Sequence, residues 1–293
     1  MDLGPVFEDP EDEGRPSNAP PEERPMTLPF AVLWASLATG LTILLLFFTH
    51  SLRPGAATDL VNGLGCTAAA YLLCIFLIAR THAGQQNLAD LLSIRKTHPL
   101  LYLLGAAVGV CLQIPAEIVR RAIERRWPTP PDIILDQIAT FRIDTTSRRI
   151  LVPLVVAALG PLIEELFFRG ALQRSLRKLH TDARVVPVVA LLFAIGHVDP
   201  RSMLPIFMIG MFLGLLRSSS GSLLPSLVAH MAFNGVVVFE LVRGTINLEP
   251  ETSPLPVPWA VGGIAGTLLF TAAFVWVAAR SETALRARQE DLA

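Results

Sequence analysis

An all-α, polytopic bundle of about eight membrane-spanning helices is the fold this sequence predicts, and three observations carry that reading. Charged residues make up 17% of the 293-residue chain and hydrophobic ones 52%, against about 25% charged in an average soluble domain. The apolar residues gather into runs that approach or exceed the ~20 residues needed to cross a bilayer. Polar, proline- and arginine-rich connections separate those runs.

Taken in order, residues 1–26 read as an acidic, proline-rich, disordered tail. Asp2, Glu8, Asp9, Glu11, Asp12, Glu13, Glu22 and Glu23 outnumber Arg15 and Arg24, and no apolar face is present. The tail lacks the basic start and short apolar core of a signal peptide, so it is read as retained. Residues 27–280 form the transmembrane domain. Its spans are expected at about Leu28–Thr49, Leu60–Ala79, Pro99–Val119, Ile150–Phe168, Val185–His197, Met203–Leu216, Leu223–Val242 and Trp259–Ala279. The fifth and sixth are short for full crossings and need flanking residues or burial among the others. Residues 281–293 make a short C-terminal tail.

Two connections have character of their own. Asn87–Lys96 suits a short interfacial helix, with Leu88, Leu91, Leu92 and Ile94 broadly on one side. The arginine-rich stretch 120–149 has an apolar patch at Ile133–Leu135, which fits an interfacial hairpin or lid as well as it fits a solvated loop. Lysine and arginine lie slightly in excess on the N-terminal side of the spans, a bias toward an N-terminus inside. Cys66, Cys74 and Cys111 fall inside apolar segments without metal-ligand spacing and read as buried thiols. Outside the acidic tail the chain is basic, which suits membrane lipids with anionic headgroups as partners. The arginines sit between spans and not along one soluble face, which gives no case for nucleic acid.

Ionisable groups inside a span cost ~2.5–3.5 kcal/mol each on insertion scales and so call for a function. They cluster in three places: Glu164, Glu165 and Arg169 in PLIEELFFRG; Phe193 and His197 in FAIGH; His230 and Asn234 in HMAFN. Adjacent carboxylates point about 100° apart on a helix, so one role for both is not expected. Glu165 and Arg169, at i and i+4, share a face and would neutralise each other. Glu164 is then left facing elsewhere without a local cation, as a general base would be. Phe193, one turn before His197, would wall one side of its imidazole. His230 and Asn234, again i and i+4, offer two donors to a shared acceptor, the geometry of an oxyanion site. Together these are parts for activating a water and holding the tetrahedral intermediate of amide hydrolysis. Glu164, His197 and His230 would also serve as zinc ligands drawn from three helices, although no HExxH is present. The sequence leaves both readings open.

At these residues the chain resembles the CAAX protease and bacteriocin-processing (Abi) family of intramembrane endopeptidases. Glu164-Glu165-x-x-x-Arg169, Phe193-x-x-x-His197 and His230-x-x-x-Asn234 match its EExxxR, FxxxH and HxxxN motifs in order and in internal spacing, and the Phe168-Arg169-Gly170 sequence matches too. The match covers about residues 150–240. The resemblance implies an eight-helix fold in the plasma membrane of a bacterium, with a site open to the cytosol and a membrane-associated peptide or protein, CAAX-type among them, as substrate. It also implies roles: Glu164 as general base, His197 helping to hold the water, His230 and Asn234 as the oxyanion site, and Glu165, Arg169 and Phe193 in support. No cofactor is expected on the metal-free reading, which is preferred because carboxylate, imidazole and amide already fill the roles; zinc is the alternative. The competing class is a non-catalytic membrane immunity, scaffold or transport protein that keeps the fold. No internal repeat supports a transporter, and neither Glu164 nor either histidine is lost.

Overall fold

The computed structural model describes residues 25–82, 87–244, 251–281 and 286, and no strand occurs among them. Most of the acidic tail and of the C-terminal tail lies outside the described residues. At the tail's inner end, Met26 is 1% exposed and packs with the first helix. The helices are α1 (Leu28–Leu52), α2 (Leu60–His82), α3 (Leu88–Leu91), α4 (Pro99–Arg126), α5 (Pro131–Phe141), α6 (Thr146–Leu176), α7 (Asp182–Ile195), α8 (Met203–Ser220), α9 (Leu223–Arg243) and α10 (Val257–Ala278). Seven of them (α1, α2, α4, α6, α8, α9 and α10) are long and apolar enough to cross a membrane. This is the fold of an integral, multi-pass membrane protein. Large apolar side chains such as Phe47, Leu103 and Trp259 point outward, where a bilayer and not water must meet them.

The sixth expected span reaches full length because α8 runs on through Arg217–Ser220, all of them buried. The fifth does not. With 14 residues, α7 is about 21 Å long, short of the ~30 Å hydrocarbon core, and it is held between α6 and α8. The two connections also resolve. Only one turn of the 87–96 segment is helical, capped by Asn87 accepting from Asp90 N at 2.9 Å. Its leucines do not share one side: Leu91 and Leu92 are buried, whereas Leu88 and Ile94 are exposed. The 120–149 segment holds α5, which buries no residue and rests near the Ala56–Thr58 turn, as an interfacial helix would.

Two apolar clusters divide the bundle. One joins α1, α2, α6 and α7 around Phe167, Phe168 and Phe193; the other joins α4, α8, α9 and α10 around Leu101, Leu112 and Phe274. The central helix of the second is α4, and glycine lets it approach α9. A Cβ on Gly105 would lie 2.8 Å from the Pro225 carbonyl oxygen, and one on Gly109 would drive into that of Ala229. This Gly-x-x-x-Gly seam packs backbone on backbone, the means by which helices associate in lipid. It also fixes the position of His230, the residue after Ala229.

Helix α6 carries the glutamates and is not a regular α-helix. Two π-helical turns, Leu154–Leu159 and Leu166–Leu172, flank Gly160–Glu165. The first turn sends Gly160 N–H to Val155 O. In the same i to i+5 pattern Val156 O would need the N–H of residue 161, and that residue is Pro161, which has none. The second turn diverts Gln173 N–H to Phe168 O, so Arg169 O loses its usual α-helical donor. Such π turns recur at functional sites in helices, and here each exposes one backbone carbonyl to a side chain from another helix.

Candidate active site

Between the two apolar clusters lies a polar seam built from α6, α7 and α9. Glu165, fully buried, faces Arg169 one turn on, with Nη1 2.9 Å from its Oε1. The Arg169 guanidinium, also fully buried, sits over the Phe193 ring with Cζ 4.3 Å from its centre and donates to Gly210 O at 3.4 Å. The expected i, i+4 pair therefore forms.

The pair does not stand alone. His230 Nδ1 lies 3.1 Å from the same Oε1, and Ser226 Oγ donates to Oε2 at 3.0 Å. On the other side of the ring His230 Nε2 lies 3.7 Å from Glu164 Oε2. The two glutamates thus meet at one imidazole, which reaches them from another helix, so Glu164, expected to face elsewhere, shares a partner with Glu165. The reason is geometric: carboxylates 100° apart on α6 are spanned by a ring whose two nitrogens point to opposite sides. Burial separates them instead. The Glu164 side chain retains 23% of its exposure while that of Glu165 retains none.

His197 follows the end of α7, where Nδ1 contacts the Phe193 carbonyl at 2.8 Å and the rest of the side chain is exposed. Its ring stands edge-on to Phe193 at 4.8 Å, and the ring of His230 stands edge-on to the same Phe193 at 5.9 Å. Phe193 therefore lies against both imidazoles and the guanidinium. Asn234, one turn beyond His230 on α9, donates Nδ2 to Val156 O at 2.9 Å, the carbonyl that Pro161 leaves without a donor. One amide hydrogen is committed to that brace, and the second is not.

Several contributors escaped sequence reasoning. Ser226 lies on the same i, i+4 stripe as His230 and Asn234, and that spacing was the signal for it. Arg217 at the end of α8 donates Nε to Arg169 O at 3.2 Å, filling the gap left by the second π turn. Gln173, fully buried, donates to Gly214 O and Ser218 Oγ, each at 2.9 Å, and ties α6 to α8. Gln113 and Glu117, by contrast, are legible in the sequence as polar residues that line the cavity or sit at a helix end; Gln113 donates to Phe233 O and braces α4 on α9, while Glu117 pairs with Arg120 at 2.7 Å and Arg121 at 2.6 Å. Tyr71 on α2 packs on Phe167 at 4.7 Å and lies within electrostatic reach of Glu164.

For zinc the fit is poor. Glu164 and His230 lie 3.7 Å apart, but among the described residues no group of three His, Cys, Asp or Glu side chains is arranged to hold a metal ion.

No curated protein and no solved structure matches the chain. Residues 146–236, which hold every motif residue of this site, match the Rce1-like family of type II CAAX prenyl endopeptidases, a family of intramembrane proteases.

Proposed function

We propose that the chain is an intramembrane endopeptidase that hydrolyses a peptide bond in a membrane-associated, CAAX-type protein or peptide, with Glu164 as its general base. The observation that carries this reading is His230 held between a buried and a half-exposed carboxylate, 3.1 Å from one and 3.7 Å from the other. Glu165, fixed by Arg169 and Ser226, orients the imidazole through Nδ1, much as the carboxylate of a catalytic triad serves its histidine. Glu164, on the accessible side, takes a proton from water. The resulting hydroxide adds to the substrate carbonyl carbon. His230 Nε2–H and the second amide hydrogen of Asn234 donate to the oxyanion. Glu164 then returns its proton to the leaving amine as the C–N bond breaks. His197, at the exposed end of α7, helps to hold the water, and Phe193 keeps the two imidazoles apart. No step is routed through a metal.

Successive traverses from Leu28 place His197 on the face opposite the start of α1. A site open to the cytosol and an N-terminus inside are therefore exclusive. We retain the first, which the family resemblance implies: the arginine-rich end of α4 and start of α6 lie on the His197 face, and they are set above the slight excess of lysine and arginine on the opposite face. The test is cleavage by the purified full chain, in nanodiscs, of matched peptides ending in a CAAX sequence, farnesylated or unmodified. Release of the last three residues from the farnesylated peptide supports the proposal. Turnover of neither peptide, with cleavage of an unrelated membrane peptide, would move the substrate outside the CAAX class.

A further inference from the structure

Two polar side chains beside the α2–α6 contact have needs that match. Tyr71, in the middle of α2 and 6% exposed, makes no hydrogen bond through its hydroxyl among the described residues. Glu164 makes none either: its contact with His230, at 3.7 Å, involves Oε2 and leaves Oε1 without a described partner. A buried phenol without a partner calls for an explanation, the more so inside a bilayer where water does not supply one. Packing alone would be served as well by phenylalanine, which the chain uses fifteen times against two tyrosines. The hydroxyl therefore has its own purpose.

Rings set its place. Phe167 and Phe168 follow Glu164 by three and four residues, and so share its side of α6. Helical side chains lean back toward the N-terminus, which lays both rings over the turn that carries Glu164. Tyr71 packs on Phe167 at 4.7 Å and on Phe168 at 5.8 Å between ring centres. Phe168 stands edge-on to Phe193 at 5.2 Å, and Phe193 stands edge-on to His197 and His230. Tyr71 thus ends a continuous run of rings that reaches both imidazoles of the site, and it alone in that run carries a hydroxyl. It lies within electrostatic reach of Glu164.

We infer that Tyr71 is a positioning residue for the general base, its O–H donating to the Glu164 oxygen that is not turned toward His230. The inference rests on the proposed role of Glu164 in proteolysis. Rotation of the glutamate side chain closes the gap, and catalytic hydrogen bonds commonly tighten only when substrate is bound. The bond fixes the plane of the carboxylate and leaves Oε2, on the His230 side, to receive the proton of the water. It also gives a neutral donor to an anion set among apolar helices, where an unpaired charge is costly. Tyr71 itself neither gives nor takes a proton in the reaction.

The other tyrosine, Tyr102, accepts from Thr97 N at 3.3 Å. In full-length Tyr102→Phe protein in nanodiscs, the phenol C–O stretch of isotopically labelled tyrosine therefore reports Tyr71 alone. That band should shift when Glu164→Leu is added and stay in place when Glu117→Gln, on α4, is added. No substrate is needed, so this arm stands apart from proteolysis. On the farnesylated peptide, Tyr71→Phe keeps its ring on Phe167 and Phe168 and should melt with wild type. Its kcat should fall about 10–100-fold, as loss of a hydrogen bond to a charged group does, with KM unchanged. Added to Glu164→Gln, Tyr71→Phe should not lower the residual rate further, because the hydroxyl acts through that carboxylate. A band indifferent to Glu164, or a further loss in the double variant, would overturn the inference. So would an undiminished kcat in Tyr71→Phe where Glu164→Gln is inactive, a result that leaves the proteolytic reading standing. Full activity in Glu164→Gln would remove the base, and the positioning role with it, even where the band shows the bond.

Discussion

Adjacent glutamates in this chain should fail in opposite ways when neutralised. Glu165 is fully buried against a fully buried Arg169 and takes bonds from His230 and Ser226. Glu165→Gln keeps the shape but leaves a guanidinium uncompensated in the bundle interior, a loss of about 3–5 kcal/mol for a buried pair broken on one side. In a chain of this size each kcal/mol corresponds to roughly 2–4 °C, so the melting temperature should fall by roughly 10 °C. Glu164 is half-buried, with its described contact at 3.7 Å, and Glu164→Gln should cost no more than about 1 kcal/mol. Activity reverses the order of damage. At a temperature where both variants are folded, Glu164→Gln should lose about 10²–10⁴ in kcat through removal of the general base. Adding Arg169→Met to Glu165→Gln removes both charges and should recover much of the lost stability, without restoring activity. Thermal unfolding in detergent and cleavage of a fluorogenic peptide give the two readouts. A Glu165→Gln variant as stable as wild type, or a Glu164→Gln variant as unstable as Glu165→Gln, would refute the division of labour.

Further expectations follow from the same geometry. Asn234→Ala should cost about 0.6 kcal/mol or somewhat more, as interhelical hydrogen bonds in membranes do, yet reduce kcat by about 10²-fold if its second amide hydrogen serves the oxyanion; a kcat unchanged from wild type would confine Asn234 to bracing Val156. Gly109→Ala should prevent α4 from closing on α9 and abolish both folding and cleavage, while Gly40→Ala, where a Cβ meets nothing within 4 Å, should leave both unchanged. In a variant free of native cysteines, Val198→Cys should react with an impermeant thiol reagent from the cytosolic side, and reaction only from the other side would reverse the proposed orientation.

Local chemistry in this chain was legible in the sequence because helical spacing is local. The i, i+4 rule placed Glu165 on Arg169 and put His230 and Asn234 on one stripe, and apolar length marked every full span. What joined those pairs was not legible. His230 reaches Glu165 across 65 residues, and which imidazole nitrogen meets which carboxylate depends on how α9 seats on α6. The Gly105–Gly109 seam sets that seating through backbone contact. The use of Asn234 was hidden for another reason. Its acceptor is exposed only because a π turn and Pro161 together leave Val156 O without a donor, and no side-chain periodicity reports a π turn. Arg217 stood at the end of an apolar run and so read as a flank, although α8 carries it inward. Ile94 parts from Leu91 and Leu92 because the strap leaves helical geometry at Ser93, with φ at 53°.

The central claim is that Glu164, without a metal, activates the water. The most direct measurement is the cleavage rate of wild type and Glu164→Gln on one peptide, each before and after exhaustive treatment with a zinc chelator and each checked for its melting temperature. Wild-type activity should survive the chelator, and Glu164→Gln should be inactive in both conditions while remaining folded. Loss of wild-type activity on chelation, restored by added zinc, would place the water on a metal. Equal rates in wild type and Glu164→Gln would remove Glu164 from the chemistry.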